Sequence, residues 1–210
     1  MRVILIASQK GGAGKSTLAA HFATLASRKG LAVLVDADPQ GSLSYWHALR
    51  QRDDLLLVKS SGGGDVAGII RDAKASRVDT LLVDSEPRND AALAAWVRVA
   101  DLVAVPVRPG AFDIAAAAVT FEAVRALQGR AVAVLNACPP PGAYGEPSIV
   151  REAREALEGQ GVEVLKGQVS QRAALAHALV SGLTVGEYEP DGKAAEEIAA
   201  VWRQVDRLTR

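Results

Sequence analysis

Apolar runs rich in Val, Ile and Leu recur along the chain at Val3–Ala7, Leu31–Val35, Leu55–Val58, Thr80–Val83, Leu102–Val107, Ala131–Leu135 and Val162–Leu165. They show little polar alternation, which is the pattern of strands buried on both faces. Between them, helical spacing of apolar residues covers Ser16–Lys29, Ser42–Gln51, Asp65–Ala75, Asp90–Val99, Ile114–Leu127, Ser148–Glu158, Gln171–Val180 and Ala194–Leu208. Strand alternating with helix predicts parallel pairing through crossover helices. The expected fold is therefore α/β, with one doubly wound, mostly parallel sheet flanked by helices. The last helical stretch sets Ile198, Val201, Trp202, Val205 and Leu208 on one face. That face is expected to pack on the sheet, because a membrane-seeking helix would want a basic polar face and more bulk.

Length changes this picture little: 210 residues suit one domain spanning 1–210. The only candidate breaks, Gly62–Gly64 and Pro139–Pro141, are short enough to be surface loops. A composition 49% hydrophobic and 23% charged excludes a disordered chain. No apolar stretch approaches the ~20 residues that span a bilayer, and the short apolar run after Arg2 is no signal peptide, so a cytoplasmic protein is expected. Cys138 is the only cysteine, which excludes an internal disulfide and a cysteine-built metal or iron–sulfur centre within one chain. The net charge is zero, with 24 basic against 24 acidic residues, whereas a dedicated DNA binder usually carries a positive excess. Residues 1–60 hold eight Lys or Arg against four Asp or Glu, and residues 151–210 hold eight against ten. Any basic surface must be a local patch made by folding or dimerisation.

The chemistry concentrates in QKGGAGKST, Gln9–Thr17, which lies between the first predicted strand and the first helix. Backbone N–H groups of such a loop converge on a polyphosphate, and the helix N-terminus adds partial positive charge. In that arrangement Lys15 holds the β- and γ-phosphates, Ser16 ligates magnesium and Thr17 reaches the α-phosphate. The pattern G-x-x-x-x-G-K-[ST] would place glycine at position 9, where this chain has Gln9. His21, His47 and His177 lie on separate predicted helices without neighbouring ligand types and read as packing or surface residues. Trp46, Trp96 and Trp202 read as core or interface residues rather than base-stacking groups.

KGGAGKST with its flanking Gln9 resembles the deviant Walker A box of the ParA/MinD family of partitioning and positioning ATPases. The resemblance continues in order through VDADPQGS at Val35–Ser42, VDSEP at Val83–Pro87, PVRPGAFD at Pro106–Asp113 and QRAALAHALVSGLTVGEY from Gln171, covering nearly the whole chain. It implies a P-loop NTPase that uses ATP and Mg2+. Gly11, Gly12, Ala13, Gly14, Lys15, Ser16 and Thr17 would cradle the nucleotide, and Asn136, which ends the run AVAVLN, would read adenine unless it caps a loop. Lys10, Lys15 and Asp38 form the implied catalytic set: Lys10 reaches the nucleotide of a second subunit, and Asp38 positions the attacking water. Ser16, Asp36 and Asp84 serve the metal, Asp84 through a water and Asp36 by supporting the metal or the loop; Asp36 and Asp38 could instead shape a turn or cap a helix. Asp113 would lie near a dimer face or cap the helix beginning at Ile114.

The family further implies a homodimer formed with ATP, nonspecific DNA binding by that dimer, and hydrolysis stimulated by a ParB-like or other adaptor protein. Candidate DNA contacts are Arg151, Arg154, Lys166, Arg172 and Arg203, in a cytoplasmic, nucleoid-associated protein. Cargo could be a plasmid, a chromosome origin or a protein cluster. The first strand begins at residue 2, as in the small ParA type without an N-terminal helix-turn-helix. One departure is Asp84-Ser85-Glu86-Pro87, where the family has a small residue followed by Pro or Ala, and it leaves the role of Glu86 open. The main alternative is a MinD-like membrane-positioning ATPase, which requires a C-terminal amphipathic anchor not visible here. A metabolic or metal-delivery enzyme on the same scaffold is disfavoured by the single cysteine and by Lys10 with VDADPQ. A binder that holds ATP without hydrolysing it stands as a fourth reading.

Overall fold

A computed structural model of the chain describes residues 1–60, 64–87, 89–142 and 145–210. Of the glycine run expected to form a surface loop, Gly62 and Gly63 lie outside the described residues. Strands β1 (Arg2–Ile6), β2 (Ala32–Ala37), β3 (Leu56–Lys59), β4 (Thr80–Ser85), β5 (Leu102–Val107), β6 (Ala131–Cys138) and β7 (Val164–Ser170) form one sheet in the order β3-β2-β4-β1-β5-β6-β7. Every neighbouring pair is parallel. After β1 the chain winds toward β3 and later, from β5, toward β7. The order therefore reverses beside β1, and the crevice at the carboxyl ends of β1, β4 and β5 is where such sheets bind ligands.

Alternate strand residues feed two cores. Ile4, Ile6 and Leu34 pack with Leu18 and Phe22 of α1 (Lys15–Ser27), Trp46 of α2 (Ser42–Leu49) and Trp202 of α9 (Lys193–Leu208), along with α7 (Ala173–Val180) and α8 (Val185–Tyr188). Val3, Leu5 and Val35 pack on the opposite face against α3 (Val66–Ala75), α4 (Asp90–Val97), α5 (Ala111–Ala126) and α6 (Ser148–Glu158). Burial on both sides explains why the strands read as unbroken apolar runs. Trp46, Trp96 and Trp202 are all buried, as expected. The apolar face of α9 is spent on this core through Ile198, Val201, Trp202 and Val205.

The differences from the sequence reading are local. α8 went unanticipated, although TVGE carries a capping box in which Thr184 and Glu187 bond each other's backbone N–H groups. α5 starts at Ala111 rather than Ile114, which places Asp113 inside its first turn instead of at its cap. α7 starts at Ala173 rather than Gln171, because the Gln171 amide bonds the Cys138 carbonyl and Arg172 is extended. β7 begins two residues late and runs on through Lys166–Gln168, polar positions made possible by its place at the sheet edge. That open edge is clamped from both sides. Arg154 Nη1 donates to the Leu165 carbonyl at 2.6 Å and Gln204 Oε1 accepts from the Lys166 amide at 2.8 Å, satisfying groups that would otherwise invite another strand.

Candidate functional site

The loop from β1 to α1 lies in the crevice. Gly12 and Gly14 have φ of 73° and 96°, in the left-handed region where glycine is favoured. A Cβ on Gly14 would collide with the Asn136 side-chain amide, so the loop and β6 meet without room for one. Asn136 Nδ2 donates to the Ala13 carbonyl at 2.7 Å. The register between β6 and β7 slips on both sides of Leu135, and Ala137 takes a φ of 50°, an irregularity that redirects the strand beside Asn136. The amide expected to read adenine thus braces the phosphate loop with its nitrogen. Gly14 caps α1 without a side-chain bond, leaving first-turn N–H groups for a ligand, and the buried Lys15 adds a full charge there.

A cavity of about 570 Å3 opens over this loop. Its polar wall includes Gly11, Gly12, Lys15, Ser16, Asp38 and Arg108. Tyr45, Trp46, Leu179 and Val180 form an apolar wall contributed by α2 and α7.

Asp84, at the end of β4, accepts a hydrogen bond from Ser16 Oγ at 2.5 Å and stands directly opposite Asp36 in the β2–β4 register. Both carboxylates are buried, and Oδ1 of each has no partner among the described residues. The Asp84 carboxyl is pushed up to about 7, chiefly by burial and also by Asp36 and Asp38, against the opposing Ser16 bond and Lys15. A hydroxyl and two orphaned carboxylate oxygens short of positive charge fit a hard divalent cation. Asp36 also has a structural task, since its Oδ2 accepts from the Ser44 amide at 2.8 Å and the Ser44 hydroxyl at 2.6 Å, tying down the first turn of α2. Asp38 is half-buried, lines the cavity, and accepts from the Gln40 amide at 3.0 Å.

The loop's other lysine does not line this cavity. Lys10 Nζ pairs with Asp113 Oδ2 at 2.8 Å, and its side chain is 38% exposed. Gln9 fixes the same stretch to two helices: its amide donates to Thr120 Oγ1 at 3.3 Å and its side chain to Asp90 Oδ1 at 3.2 Å. Glu86 accepts from Asn89 Nδ2 at 2.7 Å, so this departure from the family pattern supports the start of α4, while Pro87 lines the cavity.

The five basic candidates do not form one group. Arg151, Lys166 and Arg203 are exposed on α6, β7 and α9. Arg154 is committed to the carbonyls of Leu165 and Lys166 and to Glu146, and Arg172 to Glu197 at 2.7 Å, which leaves less of each guanidinium for phosphate.

Three groups escaped the sequence reading. Arg108 lies in the quoted PVRPGAFD, yet nothing local marks it as facing the loop. His21 is buried and bonded at both ring nitrogens: Nδ1 meets the Thr17 carbonyl at 2.7 Å, and Nε2 accepts from the Val185 amide at 3.0 Å. Burial lowers its pKa to about 4, in keeping with a neutral ring. The Arg50 side chain, fully buried, reaches Asp54 and Glu187 at 2.6 Å each and stacks on Trp46. Lone basic residues at those positions carry no sequence signal of burial.

A family model described as the CobQ/CobB/MinD/ParA nucleotide binding domain matches residues 4–185. The chain is similar to maintenance of carboxysome distribution protein A of Halothiobacillus neapolitanus, at 29% identity over 96% of this chain and 95% of that protein. The protein of that name from Gloeobacter kilaueensis is 31% identical, over 97% and 92%. Among solved structures, an ATP complex of a Cyanothece McdA variant superposes with a TM-score of 0.82 at 16% identity, over 99% of this chain and 96% of that one. The cell division protein MinD of Aquifex aeolicus gives 0.79 at 18% identity, over 99% and 98%. With its glycine loop at the reversal of strand order and a carboxylate pair beside it, the chain belongs to the CobQ/CobB/MinD/ParA family of nucleotide-binding proteins.

Proposed function

We propose that the protein is a dimerising, magnesium-dependent ATPase that positions cargo through ATP-controlled binding to nonspecific DNA and is released when a partner protein stimulates hydrolysis. The observation that carries this reading is the union of the glycine cradle and Lys15 with the Ser16–Asp84–Asp36 oxygen cluster and its two orphaned oxygens. When bound there, magnesium neutralises phosphate oxygens. Ser16 and, through a water, Asp84 would hold it, Asp36 would support Asp84 across the strand pair, and Lys15 would bind the β- and γ-phosphates. Asp38 accepts a hydrogen bond from the attacking water, orienting its oxygen toward the γ-phosphorus as the bond to the β–γ bridging oxygen breaks. Lys10 serves the nucleotide of the partner subunit, which requires it to leave Asp113. Base reading falls to the edge of Asn136 not spent on Ala13, although this buried residue is not part of the cavity wall.

The carboxysome-distribution relatives favour a protein assembly as cargo over a plasmid or chromosome origin. DNA contact falls to Arg151, Lys166 and Arg203, which are exposed and give phosphate-directed, sequence-tolerant binding. The test is fluorescence anisotropy on random-sequence duplex DNA, run beside liposome sedimentation. Binding to DNA that needs ATP and magnesium, falls with salt, and disappears in Lys15→Ala supports the proposal. DNA binding indifferent to nucleotide overturns it, and ATP-dependent capture by liposomes instead points to a membrane-positioning ATPase.

A further inference from the structure

We propose that Arg108 is a second ligand for the terminal phosphate of the nucleotide bound in its own subunit, beside Lys15. The inference rests on reading the cavity as an ATP site and adds a residue to it. Arg108 directly follows β5, which pairs with β1 on the side away from β4. It therefore approaches the glycine loop from the flank opposite the Asp36–Asp84 cluster, and it lines the same cavity as Gly11, Gly12 and Lys15. Its backbone is held: the Arg108 carbonyl accepts from the Gly110 amide at 2.8 Å, and Pro109 between them is buried. Its side chain is exposed and has no hydrogen bond or ion pair among the described residues.

The charge around the cavity calls for such a group. Three carboxylates, Asp36, Asp38 and Asp84, stand near one buried lysine, and a triphosphate adds further negative charge. Lys10 does not supply the balance within one chain, because it is paired with Asp113 and is not part of the cavity wall. Among the described residues, Lys15 and Arg108 are the cations of the wall, and neither is taken up by an ion pair. A guanidinium on a pinned turn can grip two phosphate oxygens at once, a geometry a lysine does not reproduce.

The experiment measures equilibrium binding of a nonhydrolysable ATP analogue and of ADP, each with magnesium, to the full chain and to Arg108→Ala, Arg108→Lys and Lys15→Ala. Arg108→Ala should weaken the triphosphate about tenfold or more while ADP changes by less than about threefold. Arg108→Lys should recover part of the loss. Unchanged melting of the nucleotide-free variants shows that the fold is intact. The same selective loss should persist in a Lys10→Ala background, where that lysine's proposed contact with the partner's nucleotide is removed; its disappearance there overturns a role of Arg108 independent of that contact. Equal effects on the two nucleotides, or no effect, overturn the role of Arg108 while leaving the ATP site standing. Failure of the unsubstituted chain to bind either nucleotide overturns the ATP reading and this inference together.

Discussion

Asp84 shows how a single residue is held in an unfavourable state that a bound cation would relieve. Buried, opposite Asp36, and with one oxygen unpartnered, it ionises at a cost to the fold while no cation is bound. Its folded pKa, about 7, lies above the ordinary 3.8, so metal-free stability is highest below pH ~4 as far as this group is concerned and declines as pH rises through about 7. Asp84→Asn should raise the metal-free melting temperature at pH 8 by a few degrees, a gain of about 1 kcal/mol or more. Magnesium with nucleotide should then stabilise the natural chain and not the variant, as differential scanning fluorimetry would reveal. Lys10 has the opposite character. Its pair with Asp113 is partly exposed, so Lys10→Ala should change stability by no more than about 1 kcal/mol. If it serves the partner's nucleotide, phosphate release should nonetheless fall by about a hundredfold or more. Normal turnover in that variant would sink the assignment.

At the scale of elements, α1 carries Lys15, Ser16 and Thr17 in its first turn and is joined to the α7–α8 corner one turn later. His21 makes the joint, accepting from the Val185 amide, and Thr24 adds a hydroxyl contact to Thr184 at 3.3 Å. Protonation of His21 Nε2 would set two donors against each other. Its folded pKa is depressed to about 4, whereas the unfolded chain takes up the proton near 6.5, so stability present above about pH 6.5 is lost as pH falls toward 4. The loss amounts to at most about 3 kcal/mol. His21→Gln should flatten this limb of a denaturation series across pH 4 to 7, and an unchanged slope would exclude the joint as its source. Arg50 secures the far end of α2 to the same corner. Arg50→Met, which leaves Glu187 buried without its main partner, should cost about 3 kcal/mol, measured by urea unfolding. The Trp46 wall of the cavity should loosen with it, since Trp46 stacks on Arg50 and donates to the Leu183 carbonyl.

For the whole molecule, a zero net charge is compatible with DNA binding only through a local surface. Arg151, Lys166 and Arg203 are exposed on α6, β7 and α9, whereas Arg154 and Arg172 hold structure. Replacing each exposed residue by Ala should reduce the salt dependence of DNA affinity by about one unit of log–log slope per lost phosphate contact, with ATP binding unchanged. Arg154→Ala should instead lower stability by freeing carbonyls at the sheet edge. The assignment fails if the three exposed substitutions leave affinity and salt slope intact.

Local chemistry made much of this architecture legible along the chain. Strands buried on both faces must be continuous apolar runs, glycine must occupy the left-handed positions of the loop, and the helix start must follow it; each constraint acts on adjacent residues. α8 was overlooked because four residues are too few to show a helical period, and the late start of β7 because an edge strand need not stay apolar. Tertiary structure alone decided which polar atoms were spoken for. Ser16 meets Asp84 across 68 positions and Arg50 meets Glu187 across 137, while Lys10 turns to Asp113 and Arg108 to the cavity. Hydrogen-bond and charge partners are chosen by proximity in space, so the sequence by itself determined the loop, the sheet and the family resemblance. Folding decided which carboxylate oxygens are left for a metal and which cations are left for a phosphate.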